Sequence, residues 1–136
     1  MGSRMKKAGA TLFAAGAIGA GMVGLGAESA SAATYNGVCG SGYRVVDQHA
    51  VTGGTVFLTY NGTRNCVVTV RNTAGAKVWM VAVVGLSSHS TWDGDDEGSY
   101  SSYAGPVYSD PSAGHCIDWG GEISGSRFIA RDTHCG

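Results

Sequence analysis

Apolar and polar residues alternate with a period of two along most of the chain beyond residue 42, and this pattern predicts β-strands. Successive side chains of a strand point to opposite faces of a sheet, whereas a helix would repeat every 3.6 residues. The predicted strands are residues 43–51, 55–60, 66–71, 78–84, 100–108 with an interruption at Gly105-Pro106, 115–123 with a break at Gly120-Gly121, and 127–135. Beyond residue 32 the sequence has no helical period. The pattern therefore predicts an all-β fold.

Turn-forming residues separate these strands. Gly53-Gly54 and Asn61-Gly62 predict hairpins, because glycine and asparagine tolerate the positive φ of tight turns. Pro106 has no amide hydrogen for a neighbouring strand, so we expect its strand at a sheet edge or a bulge. Residues 78–84 are nearly all apolar and predict a central strand covered on both faces, whereas residues 85–98 predict a long polar loop. About seven short antiparallel strands are typical of a small β-sandwich or barrel.

The first 32 residues have the organisation of a secretory signal peptide. Arg4, Lys6 and Lys7 precede an uncharged, Ala/Gly-rich stretch over residues 8–25, and Ala30-Ser31-Ala32 forms a signal peptidase site. A transmembrane anchor is disfavoured, because the stretch is rich in glycine and a cleavage site follows it directly. We expect cleavage after Ala32 and no membrane association afterwards, with residues 33–136 forming one secreted, extracellular domain.

Four cysteines lie in the part that we expect to be exported: Cys39, Cys66, Cys116 and Cys135. An even number of cysteines in an exported chain predicts two disulfides. Three pairings are possible, and we favour Cys39–Cys66 with Cys116–Cys135 because each closes a short loop around neighbouring strands. Metal binding and thiol catalysis are disfavoured, since no C-x-x-C motif or zinc-ligand spacing is present. We expect no cofactor.

The exported part carries few charges, with six Lys and Arg against nine Asp and Glu and a formal charge of −3. It contains no basic patch, so neither nucleic acid nor an anionic membrane is an expected partner. Its polar surface must rely mainly on Ser, Thr, Asn, Gly and Tyr. That composition suits a cell-wall environment, but it also suits any small secreted β domain.

Acidic residues provide weak candidates for metal binding and catalysis. Asp93, Asp95 and Glu97 could hold Ca²⁺ through carboxylate oxygens, although the EF-hand pattern is absent. Asp118 and Glu122 would share one face of a strand if Gly120-Gly121 keeps the register, and could act as a pair in glycoside hydrolysis.

A cleft formed by Asp118 and His115 is a further enzymatic possibility. No serine lies in a G-x-S-x-G motif. We assign no catalytic residue and expect a non-enzymatic protein, with a wall-acting hydrolase as the enzymatic alternative.

The aromatic residues suggest a binding surface and a core. Trp92, Tyr100 and Tyr103 flank the polar loop and are the best binding candidates, because exposed Trp and Tyr side chains stack on sugars or fill a partner's pocket. Trp79 and Trp119 are expected in the core, since a small domain needs large side chains to fill it.

Several short segments occur together in a distinctive order. They are ATYNGVCGSGY at 33–43, GTVFLTYNG at 54–62, NCVVTVR at 65–71, SYAGPVY at 102–108, CIDWGG at 116–121 and HCG at 134–136. In this order they resemble the spore-associated protein A family of filamentous, spore-forming actinobacteria. The resemblance covers essentially the whole exported part and implies a small secreted protein found with aerial hyphae and the spore surface. It implies no reaction, cofactor or catalytic residue.

These observations together predict a disulfide-stapled structural or adhesive protein at the spore or cell-wall surface. An inhibitor of a secreted hydrolase and a carbohydrate-binding module are the alternatives, because small stapled β domains lose little entropy on binding. The edge strand expected near Pro106 could also support self-association.

Overall fold

The computed structural model describes residues 32–136, which form eight β-strands and, within that range, no α-helix. The strands are β1 Arg44–Val51, β2 Gly54–Tyr60, β3 Asn65–Arg71, β4 Val78–Leu86, β5 Gly94–Tyr100, β6 Tyr103–Tyr108, β7 Ile117–Ile123 and β8 Ser126–Thr133. The predicted signal peptide, apart from Ala32, lies outside the described residues. In the described part of the chain, no helix has the length and apolar character needed to span a membrane.

The strands form two antiparallel four-stranded sheets that share one core. The first sheet has the order β1-β2-β3-β6 and the second the order β5-β4-β7-β8. Alternate residues of both sheets point inward, which gives the apolar layer expected of a sandwich. The buried core comprises Val56, Leu58, Val67, Met80, Ala82, Val84, Leu86, Ala104, Val107, Ile117, Trp119 and Ile123. The all-β, antiparallel sandwich prediction is therefore confirmed, and the strands of residues 32–136 do not close into a barrel.

The hairpin predictions are confirmed in the first sheet. β1 and β2 pair around Thr52 and Gly53, and β2 and β3 pair around residues 61–64. In the second turn the Asn61 side-chain oxygen accepts hydrogen bonds from the Thr63 and Arg64 amides. This Asx-type bonding satisfies backbone donors that the strands leave unpaired.

The central-strand prediction for residues 78–84 is also confirmed. β4 pairs with β5 on one side and with β7 on the other, and all its residues from Met80 onward are buried. The predicted break at Gly120-Gly121 is wrong: β7 runs through both glycines and pairs with β4 at each of them, because a bare backbone is what permits the close packing there. A Cβ on Gly120 would lie 2.1 Å from the Phe128 carbonyl oxygen.

Two further predictions about the second sheet are wrong. Residues 85–98 are not all loop, because β5 begins at Gly94 and carries the acidic run as an edge strand. An edge strand can place carboxylates in water while its backbone pairs on one side. Trp79 is not a core residue, since it is 47% exposed and lies on the face of β4 opposite Met80. Trp119, at 1% exposed, is in the core as predicted.

The predicted edge position of Pro106 is confirmed. β6 is the edge strand of the first sheet, and its register with β3 shifts between Val67 and Thr69. The Gly105–Pro106 peptide bond is cis. Across the sandwich, Asp96 of β5 accepts a hydrogen bond from the Gly105 amide at 2.8 Å. This contact joins the two sheets along one side.

Residues 33–42, which we call the N-terminal arm, lie over the outer face of the first sheet. Ala33, Tyr35 and Val38 pack against a second small apolar cluster formed by Phe57, Val68 and Val70. The Cys39–Cys66 disulfide joins the arm to β3. The arm therefore covers apolar side chains that would otherwise face water.

The second disulfide, Cys116–Cys135, joins the residue before β7 to the segment after β8. Both bridges have the pairing favoured from the sequence, and the described chain contains no free cysteine. Cys39–Cys66 connects a strand to the arm that covers it, and Cys116–Cys135 connects the ends of two neighbouring strands. Both bridges are therefore local, as the predicted pairing requires.

Candidate functional site

The outer face of the second sheet combines an exposed tryptophan with several charges. β-Pairing places Trp79 beside Ser99, and places Glu97 and Glu122 on either side of Val81. Residues directly opposite in an antiparallel pair share one face of the sheet, so these side chains form one surface. We call this surface the acidic face; it comprises Trp79, Asp95, Glu97, Ser99, Glu122 and Arg127.

Trp79 stands out on the acidic face because its apolar neighbours are covered. Val81 and Val83 follow it on the same side of β4, yet both are almost fully buried. A Cβ on Gly120, which pairs with Val83, would lie 2.7 Å from the Ile129 Cδ1 atom, so the Ile129 side chain folds over this glycine. The outer face of β4 is therefore covered at Val81 and Val83, and the Trp79 side chain is exposed to solvent.

The carboxylates of the acidic face crowd one another. The pKa of Glu97 is raised above its usual value, because protonated Glu97 donates a hydrogen bond to Asp95 and the charge of Asp95 disfavours a second carboxylate beside it. Glu122 accepts a hydrogen bond from Arg127 at 2.9 Å, and its side chain is largely buried beneath that pair. The face therefore has hydrogen-bond acceptors and an excess of negative charge next to an aromatic ring.

A second group of polar side chains lies around Asp118, at the far end of the same sheet face. Asp118 is 8% exposed and accepts hydrogen bonds from the Ser87 hydroxyl, the Arg131 guanidinium and the Asp132 amide, at 2.6, 2.8 and 2.9 Å. Burial raises the pKa of Asp118, but these three hydrogen bonds outweigh it and hold the pKa below its ordinary value. Asp118 is thus ionised near neutral pH. Its hydrogen bonds join β7 to β8 through Arg131 and Asp132, and to the β4–β5 connection through Ser87.

Arg131 also contacts Trp92, with its guanidinium carbon 5.3 Å from the centre of the indole ring. This is a cation–π contact, in which the guanidinium charge is attracted to the electron-rich face of the aromatic ring. A small cavity of about 100 Å³ lies here, lined in part by His89, Trp92, Asp118 and Arg131. It is too small for a sugar ring, since ligand pockets usually measure about 300–1,000 Å³.

Asp93 and His89 form an ion pair beside that cavity. The Asp93 side chain is only 6% exposed, and His89 Nδ1 lies 2.6 Å from its Oδ1 atom. Burial alone would raise the pKa of Asp93, but hydrogen bonds from His89 and from two backbone amides lower it. The hydrogen bond to Asp93 also raises the pKa of His89. No histidine ring within residues 32–136 makes a hydrogen bond to a serine hydroxyl, so the described residues contain no Ser-His-Asp arrangement.

A curated relative identifies the family. The chain is 49% identical to spore-associated protein A of Streptomyces coelicolor over 140 aligned residues, covering 97% of this chain and 90% of that protein. This chain belongs to the spore-associated protein A family. No protein-family model matches it, and no solved structure matches it.

The structure of this spore-associated protein A family member does not bring the three predicted binding aromatics together. Trp92 precedes β5 and contacts Arg131, whereas Tyr100 ends β5 and Tyr103 begins β6. β5 alone spans about 20 Å at 3.3–3.4 Å per residue. The Tyr100 hydroxyl donates to the Asp96 carboxylate, and its ring packs on the core. Tyr103 is 38% exposed, so its aromatic ring lies at the surface.

The weak Ca²⁺ candidates are also divided between two places. Asp95 and Glu97 lie on the acidic face of β5, whereas Asp93 turns toward His89 and Asp110. Alternation along the sequence could not reveal this, because Asp93 precedes the strand and its direction is set by backbone hydrogen bonds.

Asp118 and Glu122 share one face of β7, as the predicted register requires. They are four residues apart on an extended strand, about 13 Å, which exceeds the 5–9.5 Å separation of glycosidase carboxylates. Each carboxylate instead pairs with an arginine of β8. His115 lies near Ser87 and Asp132 rather than against Asp118.

Trp79 is the surface residue that the sequence pattern failed to identify. It lies in a nearly continuous apolar run, so neither face of β4 appears polar. One signal was available: Trp79 is in phase with Lys77 and out of phase with Met80, Ala82 and Val84, which are all in the core. The phase of that run therefore indicated the outer face.

Proposed function

We propose that this family member is an exported, non-enzymatic structural protein that associates with the spore or cell-wall surface through the acidic face. The relationship to a spore-associated protein carries the location. The exposed Trp79 side chain, in a row of otherwise covered residues, carries the choice of surface.

The chemistry of the acidic face suits a wall polysaccharide. An aromatic ring packs against the apolar face of a sugar, and Tyr and Trp residues dominate the binding energy of many surfaces. The Glu97 carboxylate lies diagonally across the β4–β5 pair from Trp79, and Asp95 lies two residues further along β5. Both carboxylates can accept hydrogen bonds from sugar hydroxyls. A carbohydrate-binding module is therefore the second candidate function. The exposed Trp79 favours it as well, and it differs from the first proposal only in the ligand.

The rest of the molecule supports a rigid attachment module. Two disulfides join the arm and the C-terminal segment to the sandwich, so little conformational freedom remains to be lost on binding. Asp118 and Glu122, about 13 Å apart along β7, do not have the spacing of a glycosidase pair.

Binding of the exported, oxidised chain to purified spores tests this proposal. We expect saturable binding that Trp79→Ala weakens about fivefold or more, because it removes an exposed aromatic contact. Tyr103→Ala is the matched control, since Tyr103 is similarly exposed but lies on the first sheet. It should bind as the parent does.

Purified wall polysaccharide separates the two readings. Binding to polysaccharide that matches binding to spores identifies a carbohydrate module, whereas binding to spores alone indicates another surface component. Absence of saturable binding to either material would contradict attachment. Release of soluble sugar from walls would contradict the non-enzymatic part of the proposal.

A further inference from the structure

Three metal-ligating side chains meet where the β4–β5 connection approaches the segment after β6. His89 Nδ1 lies 2.6 Å from Asp93 Oδ1 and 4.0 Å from Asp110 Oδ2, and the three donor atoms all lie within 4.8 Å of one another. We propose that His89, Asp93 and Asp110 bind a divalent transition-metal cation of the Zn²⁺ type. This inference does not depend on the proposed surface attachment.

Asp93 is the fixed member of the group. Its Oδ2 atom accepts hydrogen bonds from the Leu86 and Asp110 amides, both at 3.0 Å, and its own amide donates to the Val84 carbonyl. The Oδ1 atom faces only the imidazole. Metal-ligating carboxylates are commonly held by such outer hydrogen bonds, which orient the remaining oxygen toward the ion.

The same hydrogen bonds place the other two donors. The Asp110 amide binds Asp93 directly, so the Asp110 side chain starts from a backbone position fixed against the site. The His89 amide donates to the Leu86 carbonyl in a tight turn, which returns the imidazole toward Asp93. Donors from two separate chain segments therefore converge without any strand having to move.

The distances suit a small ion. Zn²⁺ bonds of 2.0–2.1 Å in a tetrahedron separate two ligand atoms by about 3.3 Å. The separations of His89 Nδ1 from the two carboxylate oxygens, 2.6 and 4.0 Å, each differ from that value by about 0.7 Å. The imidazole and the Asp110 side chain are 39% and 60% exposed, so both can make this adjustment by rotation.

The donor set selects the class of ion. Two carboxylates and an imidazole that has released its ion-pair proton to solvent balance a divalent charge, and imidazole favours Zn²⁺ and its neighbours over Ca²⁺ or Mg²⁺. Ca²⁺ takes six to eight oxygen ligands, more than this site offers. Three protein ligands leave the fourth tetrahedral position open to water or to a donor from a partner.

Titration calorimetry of the chelator-treated, exported chain with Zn²⁺ tests the assignment. We expect one site, with affinity reduced tenfold or more by His89→Ala and by Asp110→Asn. Asp110→Asn is the decisive variant, because its exposed side chain can lose its charge without disturbing the fold. His115→Ala and Asp95→Asn are controls that remove an exposed imidazole and an exposed carboxylate elsewhere.

Co²⁺ provides a second readout, since its visible absorption reports tetrahedral coordination by the protein. The site is supported if both control variants still bind the metal and both His89→Ala and Asp110→Asn lose binding. These two variants must also unfold as cooperatively as the parent, which shows that they are folded. Absence of Zn²⁺ binding, or binding that Asp110→Asn leaves unchanged, overturns it.

Discussion

Gly121 permits a hydrogen bond between the two sheets. The Thr69 hydroxyl of β3 donates to the Val81 carbonyl of β4 at 2.8 Å, and both residues are buried. A Cβ on Gly121 would lie 2.1 Å from that hydroxyl oxygen and 2.7 Å from that carbonyl oxygen. The bare backbone of β7 is therefore what allows a polar side chain of one sheet to reach the backbone of the other.

Gly121→Ala should lower the free energy of unfolding by about 2–4 kcal/mol, because the added methyl group displaces Thr69 and breaks a buried hydrogen bond. Urea titration of the oxidised protein measures this change. Gly75→Ala is the control, since its nearest neighbour, the Arg71 guanidinium, would be 3.7 Å away. Equal stabilities of the two variants would contradict the packing argument.

Asp118 should make folding sensitive to acid. Its pKa in the folded protein lies below the ordinary value of 3.8, so the ionised form stabilises the fold above that pH. This stabilisation is lost as the pH falls from about 4 through the lower, folded-state pKa. Thermal unfolding between about pH 2 and 5 should therefore show a shallower pH dependence in Asp118→Asn than in the parent.

Near neutral pH, Asp118→Asn should also be less stable than the parent by about 1–3 kcal/mol, because hydrogen bonds to a charged group are lost. Parallel profiles of stability against pH for the two proteins would contradict the prediction that hydrogen bonds from Ser87, Arg131 and the Asp132 amide lower the pKa of Asp118.

At the level of elements, the sequence predicts the strands whose two faces differ in polarity. β8 is an example, because Phe128 and Ala130 pack against the core while Arg127 and Arg131 bind carboxylates on the outer face. β5 was missed because its composition, GDDEGSY, has almost no apolar residue and resembles a loop. It is a strand because β4 offers unpaired backbone groups along its whole length, a tertiary effect that local preference does not contain.

The N-terminal arm depends on its disulfide. Replacing Cys39 and Cys66 together by serine should lower stability by about 2–4 kcal/mol, the usual effect of losing such a bridge. It should also increase hydrogen exchange over residues 33–42, and increase binding of a hydrophobic dye as Phe57 and Val68 become accessible.

The corresponding serine variant of Cys116 and Cys135 provides the comparison. It should lose stability without increased exchange in the arm, because that bridge joins segments beside β7 and β8. Increased exchange in the arm in both variants would mean that the arm does not depend on its own bridge.

At the level of the whole molecule, the candidate site was only partly predictable. The sequence identified Trp92, Asp93 and Asp118 as notable residues, but it could not show that their partners are Arg131, His89 and Ser87. Such pairs join distant segments, and their contacts depend on how the two sheets pack. For Trp79 the sequence offers one signal, its phase with Lys77, and the assembled sandwich shows that the out-of-phase residues Met80, Ala82 and Val84 form the core.

The exported chain should begin at Ala33. The Ala33 backbone nitrogen lies 2.9 Å from the Asn72 side-chain oxygen, so an amino group created there by cleavage keeps its acceptor. Intact mass and N-terminal sequencing of protein from culture medium measure this. A start elsewhere, or thiols that react with an alkylating reagent before reduction, would contradict the predicted processing or the bridges.

The arm also gives the sandwich two unlike sides. Apolar side chains on the outer face of one sheet are covered by the N-terminal arm, whereas the other sheet leaves Trp79 and its neighbouring carboxylates open. Molecules held through the open side would all be oriented alike, with the covered side directed outward. A fluorophore on the arm would then remain accessible to a bulky quencher on intact spores, while one on β5 would be shielded.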